Sequence, residues 1–185
     1  LLYALNKVRN KATELYPNYA KDVRQHDRWF KYWHDFAEKN LYGIEISEQI
    51  SRAAKMNMII HDDGHTNVIT SNGIWSDTEI ISKTNNQGFK YGTFDFIITN
   101  PPFGSIVRQS EQAYLKTYQL GKKEEDWLAL KSNSEQYRDS QSTEVLFIEQ
   151  DYKFLKEGGY LAIVLPDGIL TNSSMQYVRN QIEDW

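Results

Sequence analysis

Cysteine is absent from this 185-residue chain. Disulfides and thiolate metal sites are therefore excluded. Basic charge is not in excess either: 21 Lys and Arg stand against 25 Asp and Glu, for a formal net charge of −4. Autonomous, charge-driven binding to nucleic acid is not expected, because neutralising phosphates with Lys and Arg supplies most non-specific affinity. A local basic groove or basic partner subunits stay compatible with that balance. No apolar run approaches the roughly 20 residues that a membrane span needs. The opening stretch, LLYALNKVRN, has no charged segment ahead of its leucines, so no signal peptide is read there. A soluble, cytoplasmic protein with no membrane partner is expected. A glycine-rich G-x-G loop after a strand, the usual phosphate- and cofactor-binding signal, is also missing. Proline is scarce, with four in all, yet two of them are adjacent at Pro101 and Pro102.

What is present points to one domain or a piece of one, with 40% hydrophobic residues to build a core. Leu1, Leu5, Val8, Ala12 and Leu15 fall on one helical face, and a helix over 1–16 should end at Pro17. The chain begins without Met and ends in the helix-like QYVRNQIEDW, so an internal fragment is expected. Trp29, Tyr32, Trp33 and Phe36 recur at helical spacing within 22–39, which predicts a second helix with an aromatic packing stripe. LYGIEI (41–46) reads as a strand, and Ser47 as the N-cap of a helix to about Met56. NMIIHDDG (57–64) reads as a second strand, and 66–92 as a turn-rich connection with a short strand within it at NVITSN. TFDFIIT (93–99) reads as a third strand buried on both faces. Residues 104–142 form a polar insertion with a helix near 110–119, expected to be a solvated loop, with contact to DNA or a partner as the alternative. Residues 142–159 carry the clearest helical pattern, capped by Ser142 or Thr143 and stopped by Gly158. YLAIVLPDG (160–168) is the fourth strand.

Short apolar strands alternating with helices predict a parallel α/β sheet covered on both sides, with ligands at the carboxyl ends of the strands. Those ends are chemically distinctive. Asn100 carries an amide oxygen, and the proline after it biases its backbone to an extended form. A carbonyl of the Pro101-Pro102 pair offers a second acceptor at a fixed angle. Two converging acceptors suit an NH₂ group on a planar ring, and Phe103 offers a face for that ring to stack on. Such stacking is worth roughly 1–3 kcal/mol per base, and the target fits an exocyclic amine taken out of its stack. The plainer reading is a proline turn over a core phenylalanine. Glu45 ends its strand where an acidic residue takes ribose hydroxyls in nucleotide-binding α/β units; a dipole partner for the next helix is the alternative. Asp62 and Asp63 end the next run, where a carboxylate can accept from a bound adenine's amino group. HDDGH (61–65) also holds two His and two carboxylates, but no third, distant ligand cluster accompanies it, and no metal is expected.

IITNPPF resembles the signature of amino-group methyltransferases, two apolar residues followed by (D/N)-P-P-(F/Y/W). NPPFGS, TYQLGKK and STEVLFIEQDYKFLKEGGYLAIVLPDGIL together are similar to the methylation subunit of type I restriction–modification systems, N6-adenine DNA methyltransferases that use S-adenosylmethionine. LYGIEI and AAKMNMIIHDDGHTN resemble the same family's second and third motifs. The resemblance implies a Rossmann-like class I methyltransferase, mostly parallel, of which this chain lacks the first strand, the Gly-rich loop and the distal strands. It implies that Asn100 and Pro101 hold the N6 amino group, that Phe103 stacks the flipped adenine and that Pro102 stiffens the turn. It further implies that Glu45 binds the cofactor ribose, that Ile46 packs near its adenine, and that Asp63, with Asp62 beside it, reads the adenine amino group. The partners implied are double-stranded DNA and separate specificity and restriction subunits. Methylation of a protein glutamine or an RNA base amine, or a non-catalytic module docking DNA or a partner, are the rival readings.

Overall fold

The computed structural model describes residues 1–62, 67–108, 113–123 and 137–185. The chain divides into two compact units: Leu1–Gly73 with Glu79–Gly88, and Ile74–Thr78 with Phe89–Trp185.

The first unit opens with two helices, α1 (Leu2–Leu15) and α2 (Val23–Asn40), as their periodicity predicts. Asp22 caps α2 by accepting from the amides of Arg24 and Gln25, which satisfies donors that the helix itself leaves open. Leu5, Ala12, Trp33, Ala37 and Met58 form the core. The aromatic stripe of α2 is split by it. Trp33 is buried, Trp29 stacks on Tyr19 at 4.5 Å, and Tyr32 stays 41% exposed. The Arg9 guanidinium lies 4.1 Å over the Trp33 ring and donates to the His61 carbonyl at 2.8 Å.

Strands β1 (Tyr42–Glu45) and β2 (Asn67–Thr70) pair in parallel, from Tyr42 opposite Asn67 to Glu45 opposite Thr70. Helix α3 (Glu48–Ile60) makes the return between them, with Ser47 accepting from the Ile50 amide as its cap. The expected strand at 57–64 is therefore corrected. Met58, Ile59 and Ile60 continue α3, with Met58 buried and Ile59 and Ile60 exposed at 55% and 71%. A short apolar run fits a helix or a strand by periodicity alone, and here the run simply extends a capped helix. The strand lies instead within NVITSN. Helix α4 (Asp77–Thr84), inside the stretch read as turns, was not foreseen.

In the second unit β3 (Phe94–Thr99) pairs in parallel with β6 (Leu155–Ile163). Between them in sequence, β4 (Ile106–Arg108) pairs antiparallel with β5 (Ser140–Ser142). The sheets are thus mixed rather than all parallel. The β3–β6 register slips between Phe94 and Phe96. The slip follows from Leu155–Gly159: opposite Asp95 the partner strand spends extra residues, Gly158 takes φ +73°, and Lys156 ion-pairs with Asp95. Gly158 accordingly serves this bulge and not a helix end, because α5 (Thr143–Phe154) stops at Phe154. Nor is β3 buried on both faces. Phe96 and Ile98 are 69% and 86% exposed, and Phe96 stacks on Tyr160 at 5.5 Å along that open face.

Helix α5 is the centre of this unit. Val145, Leu146, Ile148 and Phe154 are buried in it, and so are Thr143, Glu144, Glu149, Gln150 and Asp151. Tyr152 is 40% exposed and stacks on Trp185 at 4.2 Å. Among the polar groups, Glu149 and Gln150 are matched. Glu149 accepts from the amides of Gln119 and Leu120 at 2.9 and 2.8 Å and pairs with Lys153. Gln150 accepts from the hydroxyls of Tyr91 and Tyr118 and donates to the Trp75 carbonyl. Part of the 104–142 segment is built in, while Gly104–Ile106 and Asp139–Ser140 are exposed. The 3₁₀ turns Ala113–Thr117 and Gln119–Gly121 bury Leu115, Leu120 and the neighbouring Tyr118 against α5 residues. The helix expected near 110–119 is this shorter 3₁₀ turn, and 109–112 lie outside the described residues. The chain closes with α6 (Asp167–Thr171) and α7 (Gln176–Asp184), whose Ile169 and Val178 pack with Val145 and Ile148.

Candidate functional site

Strand β3 delivers Asn100 to its carboxyl end. The Val164 amide donates to the Thr99 carbonyl at 3.1 Å, so pairing persists to the last strand residue. It stops there because Pro101 and Pro102 have no N–H to continue a ladder. The turn that follows alternates in exposure: Asn100 exposed, Pro101 buried, Pro102 exposed, Phe103 51% exposed. Phe103 is therefore not a sealed core ring. Among the described residues nothing donates to or accepts from the Asn100 side chain, so its amide oxygen is available. Gly104 takes φ +75° with no atom within 4 Å of where a Cβ would stand. The glycine is needed for its dihedral, not for space.

Beyond Gly104 the chain is clamped. Strand β4 runs against β5, with Ile106 opposite Ser142, and β5 leads directly into α5. The Thr143 amide donates to the Ser105 carbonyl at 3.0 Å. The Thr143 hydroxyl lies 3.1 Å from both the Pro102 and Ser105 carbonyls. Ser142 occupies the N-cap position but makes no capping bond, and Thr143 turns its hydroxyl to the loop; neither caps α5 as predicted.

In the first unit, Glu45 ends β1. One of its carboxylate oxygens accepts from the Ser47 amide at 2.8 Å. Ile46, next along, is 69% exposed. Asp62 is not at a strand's carboxyl end. It follows α3 with φ +63°, exposed, 3.8 Å from Arg9. Because β1 and β2 are parallel, the return through α3 brings the chain back to the amino edge of the pair, opposite Glu45. The premise that made Asp62 a candidate therefore fails; Asp63 lies outside the described residues. The positions that do share Glu45's edge are Ser71 and Asn72, which follow β2. The Ser71 amide donates to the Glu45 carbonyl at 3.0 Å, and the Ser71 hydroxyl is buried with no partner. The signal that could have found them is the Asn72-Gly73 turn closing the NVIT run.

Two further features were not read from sequence. On α2, ligand atoms of His34, Asp35 and Glu38 lie within 4.8 Å of one another, but Lys39 already pairs with Asp35 at 3.3 Å. This is a solvated ion-pair face. On α5, burial pushes the Asp151 carboxyl up to about 7, and its Oδ2 has no hydrogen-bond partner.

Comparison with known proteins bears on the whole arrangement. The sequence model of the family described as Eco57I restriction-modification methylase matches residues 39–184. The chain is 25% identical over 140 residues to "Type II restriction enzyme and methyltransferase RM.BcgI" of Heyndrickxia coagulans. That match covers 76% of this chain and 16% of the relative, so the chain spans about a sixth of that protein's length. Both point to restriction–modification methylases, and neither to the type I methylation subunit in particular. With an α/β fold and the family model covering most of its length, the chain belongs to the Eco57I restriction-modification methylase family.

Proposed function

We propose that the chain is the catalytic part of a DNA methyltransferase that modifies the N6 amino group of adenine, within a restriction–modification system. The observation that carries this reading is the turn after β3: an exposed Asn100 amide without a partner among the described residues, a proline-locked carbonyl and a half-exposed Phe103 at the carboxyl end of a parallel strand. Asn100 Oδ1 and the Pro101 carbonyl accept the two hydrogens of the amine. That pulls the nitrogen lone pair out of conjugation with the ring and favours a tetrahedral nitrogen. Phe103 stacks the flipped base, and Pro102 stiffens the turn so that the acceptors stay aligned.

The residues at the β1–β2 edge fit S-adenosylmethionine. Glu45 has a second carboxylate oxygen beyond the one held by Ser47, suited to ribose hydroxyls. The buried Ser71 hydroxyl lacks a partner, as a polar group does when a ligand completes it. Ile46 offers an exposed apolar side chain for the cofactor's adenine, and Asn72 stands where Asp62 and Asp63 were expected. The cofactor, when bound, supplies an electrophilic sulfonium methyl group. This domain belongs to the Rossmann-like class I methyltransferases on this reading.

The system type is open to a direct choice. The flanks resemble type I methylation subunits, which work with separate specificity and restriction subunits. The relative from Heyndrickxia coagulans is named as restriction enzyme and methyltransferase together, which favours a single polypeptide carrying both activities. The test is transfer of labelled methyl from S-adenosylmethionine to duplex DNA, RNA and protein acceptors by the full-length protein. Label in duplex DNA alone supports the reading. Label in RNA or protein replaces the substrate, and no cofactor uptake leaves a non-catalytic docking module.

A further inference from the structure

The turn that presents Asn100 is held by a side chain that the methyl-transfer reading does not use. The Thr143 hydroxyl has one proton and three oxygens in reach: Pro102 O and Ser105 O at 3.1 Å, and Glu144 Oε2 at 3.4 Å. Ser105 O already receives the Thr143 amide at 3.0 Å. Pro102 O has no other donor among the described residues. The Glu144 contact is the longest, and hydrogen bonds between oxygens are strongest near 2.7–2.8 Å. Pro102 O is thus the carbonyl that depends on this hydroxyl for a donor. Thr143 is itself buried, at 8% exposure, and anchored as the first residue of the most buried helix of its unit, so this bond is made from a rigid base.

Of the two proline carbonyls that the sequence offers as the second acceptor, one thus has a protein donor in reach. We propose that Thr143 is the positioning residue of the acceptor site: by tying the Pro102 carbonyl to the start of α5, it leaves Pro101 O and Asn100 Oδ1 as the pair that receives the amine. This rests on the methyl-transfer reading above. Thr143 does not touch the substrate; it acts through the turn. Its backbone bond to Ser105 holds the loop in place whatever the side chain, and its hydroxyl sets how the Pro-Pro segment is rotated.

The test is made in the full-length protein with Thr143→Val, which keeps the branched shape and removes the hydroxyl, Thr143→Ser, which keeps the hydroxyl, and Asn100→Ala as the reference for the reading itself. Thr143→Val should lower kcat by roughly 10- to 100-fold, the loss that follows a small misplacement of reacting groups. KM for S-adenosylmethionine should not change, thermal unfolding should shift little, and amide exchange at Phe103, Gly104 and Ser105 should speed up. Thr143→Ser should restore kcat. Wild-type kcat in Thr143→Val overturns the inference, as does a parallel loss of kcat, cofactor binding and stability that Thr143→Ser fails to rescue, because that pattern is a folding defect. If Asn100→Ala also retains full activity, the methyl-transfer reading falls, and the inference with it.

Discussion

Replacing Asp151 by Asn should stabilise the protein, and by an amount set by pH. Asp151 sits on α5, 7% exposed, with Oδ2 lacking any hydrogen-bond partner. Burial raises its carboxyl from 3.8 to about 7. The folded state therefore favours the neutral acid, and the unfolded chain does not. Below about pH 3.8 both states are protonated, and the group's contribution to stability is fully present. As pH rises towards about 7 the unfolded chain ionises first, so stability falls. Above that value the folded protein must carry a buried, unpaired carboxylate. A rise of roughly three units at about 1.4 kcal/mol each makes the total loss roughly 4 kcal/mol. That is a large share of the roughly 5–15 kcal/mol that holds a domain folded. Asp151→Asn keeps the volume and the polar head and cannot ionise. Urea unfolding followed by circular dichroism at about pH 4, 6 and 8 should show wild type and variant alike at the lowest pH. The variant should then gain progressively and lead by roughly 4 kcal/mol at the highest. A gap that does not change with pH, or a less stable variant at about pH 8, refutes the reasoning.

Two substitutions in the turn separate its parts. Phe103→Ala should weaken capture of the flipped base by roughly 1–3 kcal/mol, read as a loss of fluorescence from 2-aminopurine placed in the DNA target; cofactor affinity and melting temperature should hold, because the ring is 51% exposed. An equal loss of cofactor binding would assign Phe103 to packing. Gly104→Ala meets no atom, yet places a side chain at φ +75°, so it should cost about 1–2 kcal/mol in backbone conformation. Differential scanning calorimetry should record that as a modest fall in melting temperature, with kcat lowered as the turn shifts. No change in either would show that the backbone there relaxes freely.

The sequence was legible where one residue type has one structural use. Pro101 and Pro102 can only end β3, Ser47 sits where helix donors need an acceptor, and the aromatic spacing of Trp29 and Trp33 has a helical period. It was not legible where two structures use the same residues. Met58, Ile59 and Ile60 are as apolar as a strand, and only the parallel pairing of β1 with β2 shows that they finish a helix. That single misreading put Asp62 and Asp63 at a strand's carboxyl end, the position that Ser71 and Asn72 hold after β2. Gly158 looks like a helix stop, but its positive φ serves a bulge that the sequence cannot announce. The same holds for Phe96 and Ile98: their apolar character predicts burial, while the partner face is set by tertiary packing. Glu149, Gln150 and Asp151 resemble a solvated helix face, and they are buried because backbone amides and tyrosine hydroxyls elsewhere in the unit meet Glu149 and Gln150.

The most direct test of the account is the product formed by the full-length protein before and after loss of one amide. Duplex DNA is incubated with S-adenosylmethionine, digested to nucleosides and analysed by mass spectrometry, for wild type and Asn100→Ala, with cofactor affinity measured by calorimetry on both. The account predicts N6-methyladenine from wild type, none from Asn100→Ala, and equal cofactor binding. Methylcytosine at carbon 5, or N6-methyladenine formed as fast without the Asn100 amide as with it, would contradict it.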